Sequence, residues 1–403
     1  MSDSVLMIGF MPKFDKIGAD VRFRAICQLL ARAYQVDFFA IDYFDSDLRT
    51  SENLDSYKAE LENIGLKVHS GTNHLQYLLA TKRYQVIWLE FYFVAKDYLE
   101  LCRRWQTAAI LVVDSVDVHY LRLERKAQLT KGENDLTHAS EVKKLELDTY
   151  GKADVVIAIT EEDAVFLKMD IPHLNTEIIP NIHAIPVNPA YPPDVEKRLI
   201  FVGAYKHEPN ADGVLYFAKE IWPILQARVP GIKFSIVGSD PSLDICQLAS
   251  QDIEVTGYVK STLPYLLKSM VSIAPLRYGA GMKGKVGEAM AAGIPVVSTS
   301  IGVEGMNLVN EKNILIADTP QDFADAVFRL LNDPELRNQI KNNGINFIRE
   351  NLSEEAVAIK LNEVFSRLPK SQKIHNHQRA SSVNRFLVIA RHLLDKYLLW
   401  RFR

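Results

Sequence analysis

The residues best suited to chemistry lie together in the run Gly279–Ala280–Gly281–Met282–Lys283–Gly284–Lys285–Val286–Gly287–Glu288–Ala289–Met290. Glycines at 279, 281 and 284 let the backbone approach a ligand closely and adopt φ values that side chains disfavour. A helix is expected to begin near Met282 or Lys283, aiming its free N–H groups and positive dipole end back into the loop. Lys283 and Lys285 add full positive charge there. Backbone donors, a helix N-terminus and two lysines together suit a diphosphate. Glu288 follows Lys285 by three residues, so one helical turn separates them. A carboxylate at that place accepts hydrogen bonds from the two hydroxyls of a ribose. Gly293 ends the helix as a C-cap glycine.

Such a loop needs a strand behind it, and Val271–Ser272–Ile273–Ala274 supplies one. Ligands of open α/β sheets bind outside the carboxyl ends of the strands, which is where this loop falls. Upstream, the apolar run Val5–Phe10 stops at Met11–Pro12 and reads as a buried first strand. The loop after it carries Lys13, Asp15, Gly18 and Asp20, and helical spacing follows over 21–33. Val36–Ile41, Val86–Glu90, Ala109–Asp114 and Val155–Ile159 read as further strands. The middle two are nearly all apolar, as a parallel sheet covered on both faces requires. Thr160 and Asp163 read as a helix start with Thr160 as N-cap.

Pro180, Pro186, Pro189, Pro192 and Pro193 then mark a linker. The alternation restarts with strands at Leu199–Gly203, Phe234–Gly238, Ile253–Gly257, Val271–Pro275, Ile294–Ser298 and Ile314–Ala317, and a helix near 211–228. Helices near 321–350 and 353–368 close the pattern. The expected division is a Rossmann-like domain at 1–182, a linker at 183–196, a second Rossmann-like domain at 197–345, closing helices at 346–368 and a tail at 369–403. Two such α/β domains face each other across a cleft.

The bulk properties agree. At 403 residues the chain suits two domains. Its 48% apolar and 24% charged residues describe an ordinary globular protein, and a net charge of −3 gives no general attraction to nucleic acid. Three separated cysteines, Cys27, Cys102 and Cys246, form no CxxC pair, so neither a zinc cage nor a disulfide framework is expected. The N-terminus lacks the features of a secretory signal, and no apolar run reaches the ~20 residues of a membrane span. A cytoplasmic location is expected, peripheral to the inner face of the membrane if the tail binds there. That tail holds eight Lys or Arg and one acidic residue, Asp395, with Phe386, Ile389, Leu393, Tyr397 and Trp400 at roughly helical spacing. It reads either as a terminal helix packed on the body or as a basic helix on an anionic membrane.

The segment from Arg277 and Tyr278 through the motif to Ala291–Ala292–Gly293–Ile294–Pro295–Val296–Val297–Ser298–Thr299 resembles the retaining GT-B-fold glycosyltransferases of family four, group 1. Phe201–Val202–Gly203, Ile236–Val237–Gly238, Thr256–Gly257–Tyr258–Val259 and Ala153–Ala158 match as well. The resemblance covers roughly residues 5–367, more closely in the second half than the first. It implies that Glu288 binds the ribose of a nucleotide sugar. It implies that Lys283 and Lys285 neutralise the diphosphate, helped by Arg277 or Lys206. Backbone groups of Gly281 and Met282 would contact the donor sugar. Gly257, Tyr258 and Val259 would lie near the base, Gly203 in the same domain, and Gly18 would approach the phosphates or the acceptor from across the cleft. The family often carries two glutamates with seven residues between them, the first near the donor sugar; counting back from Glu288, Ala280 holds that place. It also often carries a histidine after the strand Ala109–Asp114, where Asp117 stands, with His119 two residues on. Either would orient the acceptor or the donor sugar.

The implied reaction passes a sugar from a nucleotide diphosphate to an acceptor hydroxyl, with retention and without a metal or other cofactor. The acceptor would be a glycan or a lipid-linked sugar, as in polysaccharide assembly. Asp45–Ser46–Asp47, a tripeptide that holds a divalent ion in the other main transferase fold, lies far from the motif and reads as loop. Two other functions stay open: a non-catalytic nucleotide-sugar-binding module, which Ala280 favours, and a nucleotide-sugar 2-epimerase, which needs more acid and base groups in the cleft.

Overall fold

Strands apolar on both faces require cover on both faces, and both sheets receive it. A computed structural model describes residues 4–43, 53–71, 73–189, 196–368, 384–385 and 387–392. In the first domain β1 (Ser4–Gly9), β2 (Gln35–Ala40), β3 (Lys67–His69), β4 (Val86–Glu90), β5 (Ile110–Asp114), β6 (Val155–Ala158) and β7 (Thr176–Ile178) form one parallel sheet in the order β3-β2-β1-β4-β5-β6-β7. Alternate residues of each strand serve opposite layers. Val5 and Met7 of β1 join Val86 and Trp88 of β4 under helix Gly18–Ala31. Leu6 and Ile8 join Ile87 and Leu89 under helix Tyr92–Trp105.

The second domain repeats the plan. Strands β8 (Arg198–Val202), β9 (Lys233–Val237), β10 (Ile253–Gly257), β11 (Val271–Ala274), β12 (Val296–Ser298) and β13 (Leu315–Ile316) run parallel in the order β10-β9-β8-β11-β12-β13. The order reverses between β1 and β4 in one sheet and between β8 and β11 in the other. These reversals open the crevices where α/β folds bind ligands. The helix expected near 211–228 starts earlier, at Glu208, and widens into a π-helical turn at Phe217–Ile221 before Trp222–Arg228. Pro223 accounts for the change, since it lacks an N–H and its ring crowds the carbonyl four residues back.

The expected boundary at residue 345 falls inside an element. Pro334–Asn351 is one helix, packed on the second domain through Ile340 and Ile348. The chain then crosses back beside the linker, where His183 N–H donates to the Leu352 carbonyl at 2.8 Å. Helix Glu354–Arg367 buries Val357, Leu361, Val364 and Phe365 in the core of the first domain. The tail also touches that domain. Arg385 donates to the carbonyls of Trp105 at 3.0 Å and Ala80 at 3.3 Å, and His392 stacks on Tyr77 with ring centroids 4.1 Å apart. Residues 369–383, 386 and 393–403 of the tail and Asp45–Ser46–Asp47 lie outside the described residues.

Candidate functional site

The cleft between the two carboxyl edges encloses about 800 Å³. On the second-domain side helix Gly284–Ala291 begins with Lys283 as N-cap, so its first residue lies one position after the later of the two starts expected from the sequence. Lys283 is buried and its Nζ donates to the Gly281 carbonyl at 2.6 Å. Lys285 Nζ donates to Asn210 Oδ1 at 2.6 Å and stands 5.2 Å over the Phe201 ring. Burial lowers the pKa of both lysines. That of Lys285 falls to about 7, with the Lys283 charge adding to the effect and Glu288 opposing it. Two cations held at a helix N-terminus make a site poised for a multiply charged anion. Glu288 accepts from the Thr262 hydroxyl. Burial raises its pKa, and Thr262 and Lys285 limit the rise.

The first-domain side is built on the end of β5. Arg22 donates to Asp114 at 2.7 Å and to the Ile179 carbonyl at 2.7 Å, both bonds buried, and so ties helix Gly18–Ala31 to the strand ends. After Asp114 the chain turns sharply. Val116 takes φ 62, a left-handed value that a β-branched residue rarely adopts. The turn delivers Asp117 into the cleft. Its carboxylate lies 2.9 Å from His119 Nδ1 and 2.7 Å from the Arg122 guanidinium. Burial would raise its pKa, but those two cations hold it well below the carboxylate range. For His119 burial disfavours the imidazolium, yet the Asp117 carboxylate outweighs it and lifts the pKa above the usual histidine value. Glu146 anchors the start of helix His119–Thr130, accepting from His119 N–H at 3.1 Å and Tyr120 N–H at 2.9 Å.

The glycine loop closes on this turn. Gly281 has φ 64, and a Cβ there would sit 3.1 Å from the Asp117 Cβ. Ala280 packs against the apolar core of the first domain. Ala280 is only half-buried and also lines the cleft, where its methyl group offers a ligand no polar atom. Asn181, at the end of the first domain just before the linker, donates to the Met282 carbonyl at 3.1 Å.

Of the residues expected from sequence, Gly18, Asp117, His119, Gly203, Tyr258 and Val259 line the cleft, together with Gly281, Met282, Lys283, Lys285 and Glu288. Three do not. Arg277 forks onto Asp212, with Nε to Oδ2 at 2.9 Å, and stands 5.0 Å over the Tyr216 ring, so it is spent on its own domain surface. Lys206 is 80% exposed and pairs with Asp240 at 3.4 Å. Gly257 ends β10 at φ 67 and leaves the lining to the two residues after it. Thr262, Asn210, Arg122 and Asn181 were not foreseen. Their contacts to Glu288, Lys285, Asp117 and Met282 span many positions, and only Arg122, one helical turn beyond His119, had a local signal.

Among the described residues no group of three or more His, Cys, Asp or Glu is placed to hold a metal, and no helix is long and apolar enough to cross a membrane. Residues 196–333 match the family model described as glycosyl transferases group 1. The match covers most of the second domain and takes in the whole loop–helix motif. An uncharacterized 44.6 kDa protein in the cps region of Klebsiella pneumoniae is 27% identical over 169 residues, which is 40% of this chain and 44% of that protein, so the match spans less than half of the relative. Sucrose-phosphate synthase from Thermosynechococcus elongatus is 18% identical with a TM-score of 0.65 over 91% of this chain and 99% of that one. HepE from Anabaena, solved in complex with UDP and glucose, is 15% identical with a TM-score of 0.65 over 91% and 100%. Likeness at these identities establishes the two-domain GT-B fold of glycosyltransferases.

Proposed function

We propose that the chain is a retaining glycosyltransferase that moves a sugar from a nucleotide diphosphate to a hydroxyl of a glycan or lipid-linked acceptor. The observation that carries this reading is the confrontation, across one cleft, of Lys283, Lys285 and Glu288 at a helix start with the Asp117–His119 pair. Glu288 holds the ribose. Lys283, Lys285 and the N–H groups of helix Gly284–Ala291 take the diphosphate, with Tyr258 and Val259 toward the base and Gly18 opposite. As the bond from the anomeric carbon to the diphosphate breaks, both electrons go to the diphosphate, and the acceptor oxygen bonds to that carbon. The acceptor proton is carried off with the departing diphosphate. Fixed positive charge aimed at the leaving group supplies the largest share of the rate, as preorganised electrostatics do elsewhere. Asp117 and His119 orient the sugar or acceptor. No step calls for a metal, so turnover is expected to survive chelation with EDTA. A relative named for a cps region supports a place in polysaccharide or glycolipid assembly. The basic tail supports contact with an anionic membrane, and deleting residues 370–403 is expected to lower binding to anionic liposomes. Equal partitioning of both forms would remove the membrane from the proposal. The function is tested by transfer from labelled nucleotide sugars, with the anomeric configuration of the product read by NMR; an inverted product would exclude retention.

A further inference from the structure

One guanidinium joins the first domain both to Glu304 of the second domain and to the glycine loop. Arg125, on helix His119–Thr130, forks onto Glu304 of the second domain with bonds of 2.5 and 2.6 Å. The same guanidinium donates to the Gly279 carbonyl at 2.6 Å. Glu304 also lies 3.7 Å from Lys283 Nζ, and Lys283 donates to the Gly281 carbonyl at 2.6 Å. Behind the pair the Phe166 ring lies 5.9 Å from the guanidinium. Both partners are mostly shielded, at 19% and 24% exposed. Other links across the cleft are wetter: in Lys126–Glu208 the glutamate is 61% exposed, and Tyr258, bonded to Asp15, is 47% exposed. Exposed pairs contribute little, whereas a shielded fork is strong and direction-specific.

We propose that Arg125 and Glu304 are positioning residues that clamp the glycine loop onto the first domain and set the place of Lys283, so that domain closure and the diphosphate site are made by one contact. The proposal rests on the reading of the cleft as a nucleotide-sugar site. Arg125 fixes the loop at Gly279, Glu304 fixes Arg125, and Glu304 also draws Lys283 toward the interface. An entering diphosphate replaces Glu304 as the partner of Lys283 at that longer contact, while the Arg125–Glu304 fork stays intact. Closure then persists with donor bound.

The test is a double-mutant cycle on the full chain with Arg125→Ala, Glu304→Gln and both together. Arg125→Lys keeps the charge and guards against a folding failure. Three quantities are read: the radius of gyration by small-angle scattering without ligand, the affinity for uridine diphosphate, and kcat and KM for the donor. Either single change is expected to increase the radius of gyration. Uridine diphosphate affinity should fall because Lys283 loses its set place, but by a smaller factor than turnover, since Lys285 and Glu288 hold the nucleotide from one domain. Turnover is expected to fall tenfold or more, about 1.4 kcal/mol, and the double variant should be no worse than the singles. Arg125→Lys should fall between. Additive losses, or an unchanged radius of gyration in Arg125→Ala, would overturn the clamp. If the parent binds no nucleotide, the reading of the cleft fails instead, and the scattering of parent and variants still decides whether the pair closes the domains.

Discussion

At the scale of single residues, burial works against the charged forms of Lys283, Lys285 and Glu288 alike. Lys285, with its pKa lowered to about 7, is partly neutral at physiological pH. A bound diphosphate restores its charge, so binding should take up a proton near and above pH 7, and affinity should weaken as pH rises toward the ordinary lysine range. Calorimetry in buffers of different ionisation enthalpy reads that proton directly. On the proposed role of Glu288, Glu288→Ala would remove charge-assisted bonds to the ribose and is expected to weaken nucleotide binding by about 1.5–3 kcal/mol, more than tenfold. His119 behaves oppositely to Lys285. Its raised pKa means that the Asp117 pair is intact below the usual histidine pKa and is lost as pH rises through the raised value. Activity is expected to decline on that alkaline side, and Asp117→Asn should shift the decline to lower pH.

At the scale of elements, the crossing between domains is the most constrained place. Gly287, inside the donor helix, admits the His183 ring: a Cβ there would stand 2.2 Å from Nε2, which has no hydrogen-bond partner. Gly287→Ala is expected to displace the linker, costing about 1–3 kcal/mol in chemical denaturation, and His183→Ala should relieve that cost. Helix Glu354–Arg367 is the second tie. Leu361→Ala, at a buried position, should cost about 2–5 kcal/mol and loosen the first domain rather than the second. The legibility of these elements followed their burial. β1, β4, β5 and β6 were readable because each is buried on both faces and almost wholly apolar. β3 and β7 were missed because they are three-residue edge strands, only half-buried, with no apolar run to mark them. The loop–helix motif was readable because its glycines, lysines and glutamate are contiguous. Its supports were not, since Thr262, Asn210, Arg125 and Glu304 are brought to it only by folding.

At the scale of the molecule, closure explains both what is present and what is absent at the site. Ala280 and Gly281 fit because the loop rests on the first domain, with Asp117 opposite. Position 280, where the family resemblance leads one to expect a sugar-facing glutamate, is held here by an alanine that both packs on the first domain and lines the cleft. The central claim is that this closed cleft turns over a nucleotide sugar held by Glu288. Its most direct test is release of nucleoside diphosphate from a panel of nucleotide sugars, measured for the parent and for Glu288→Ala. The expected result is turnover of at least one donor by the parent and a loss of more than tenfold in the variant. Tight nucleotide binding without turnover of any donor, or equal turnover by both proteins, would contradict it.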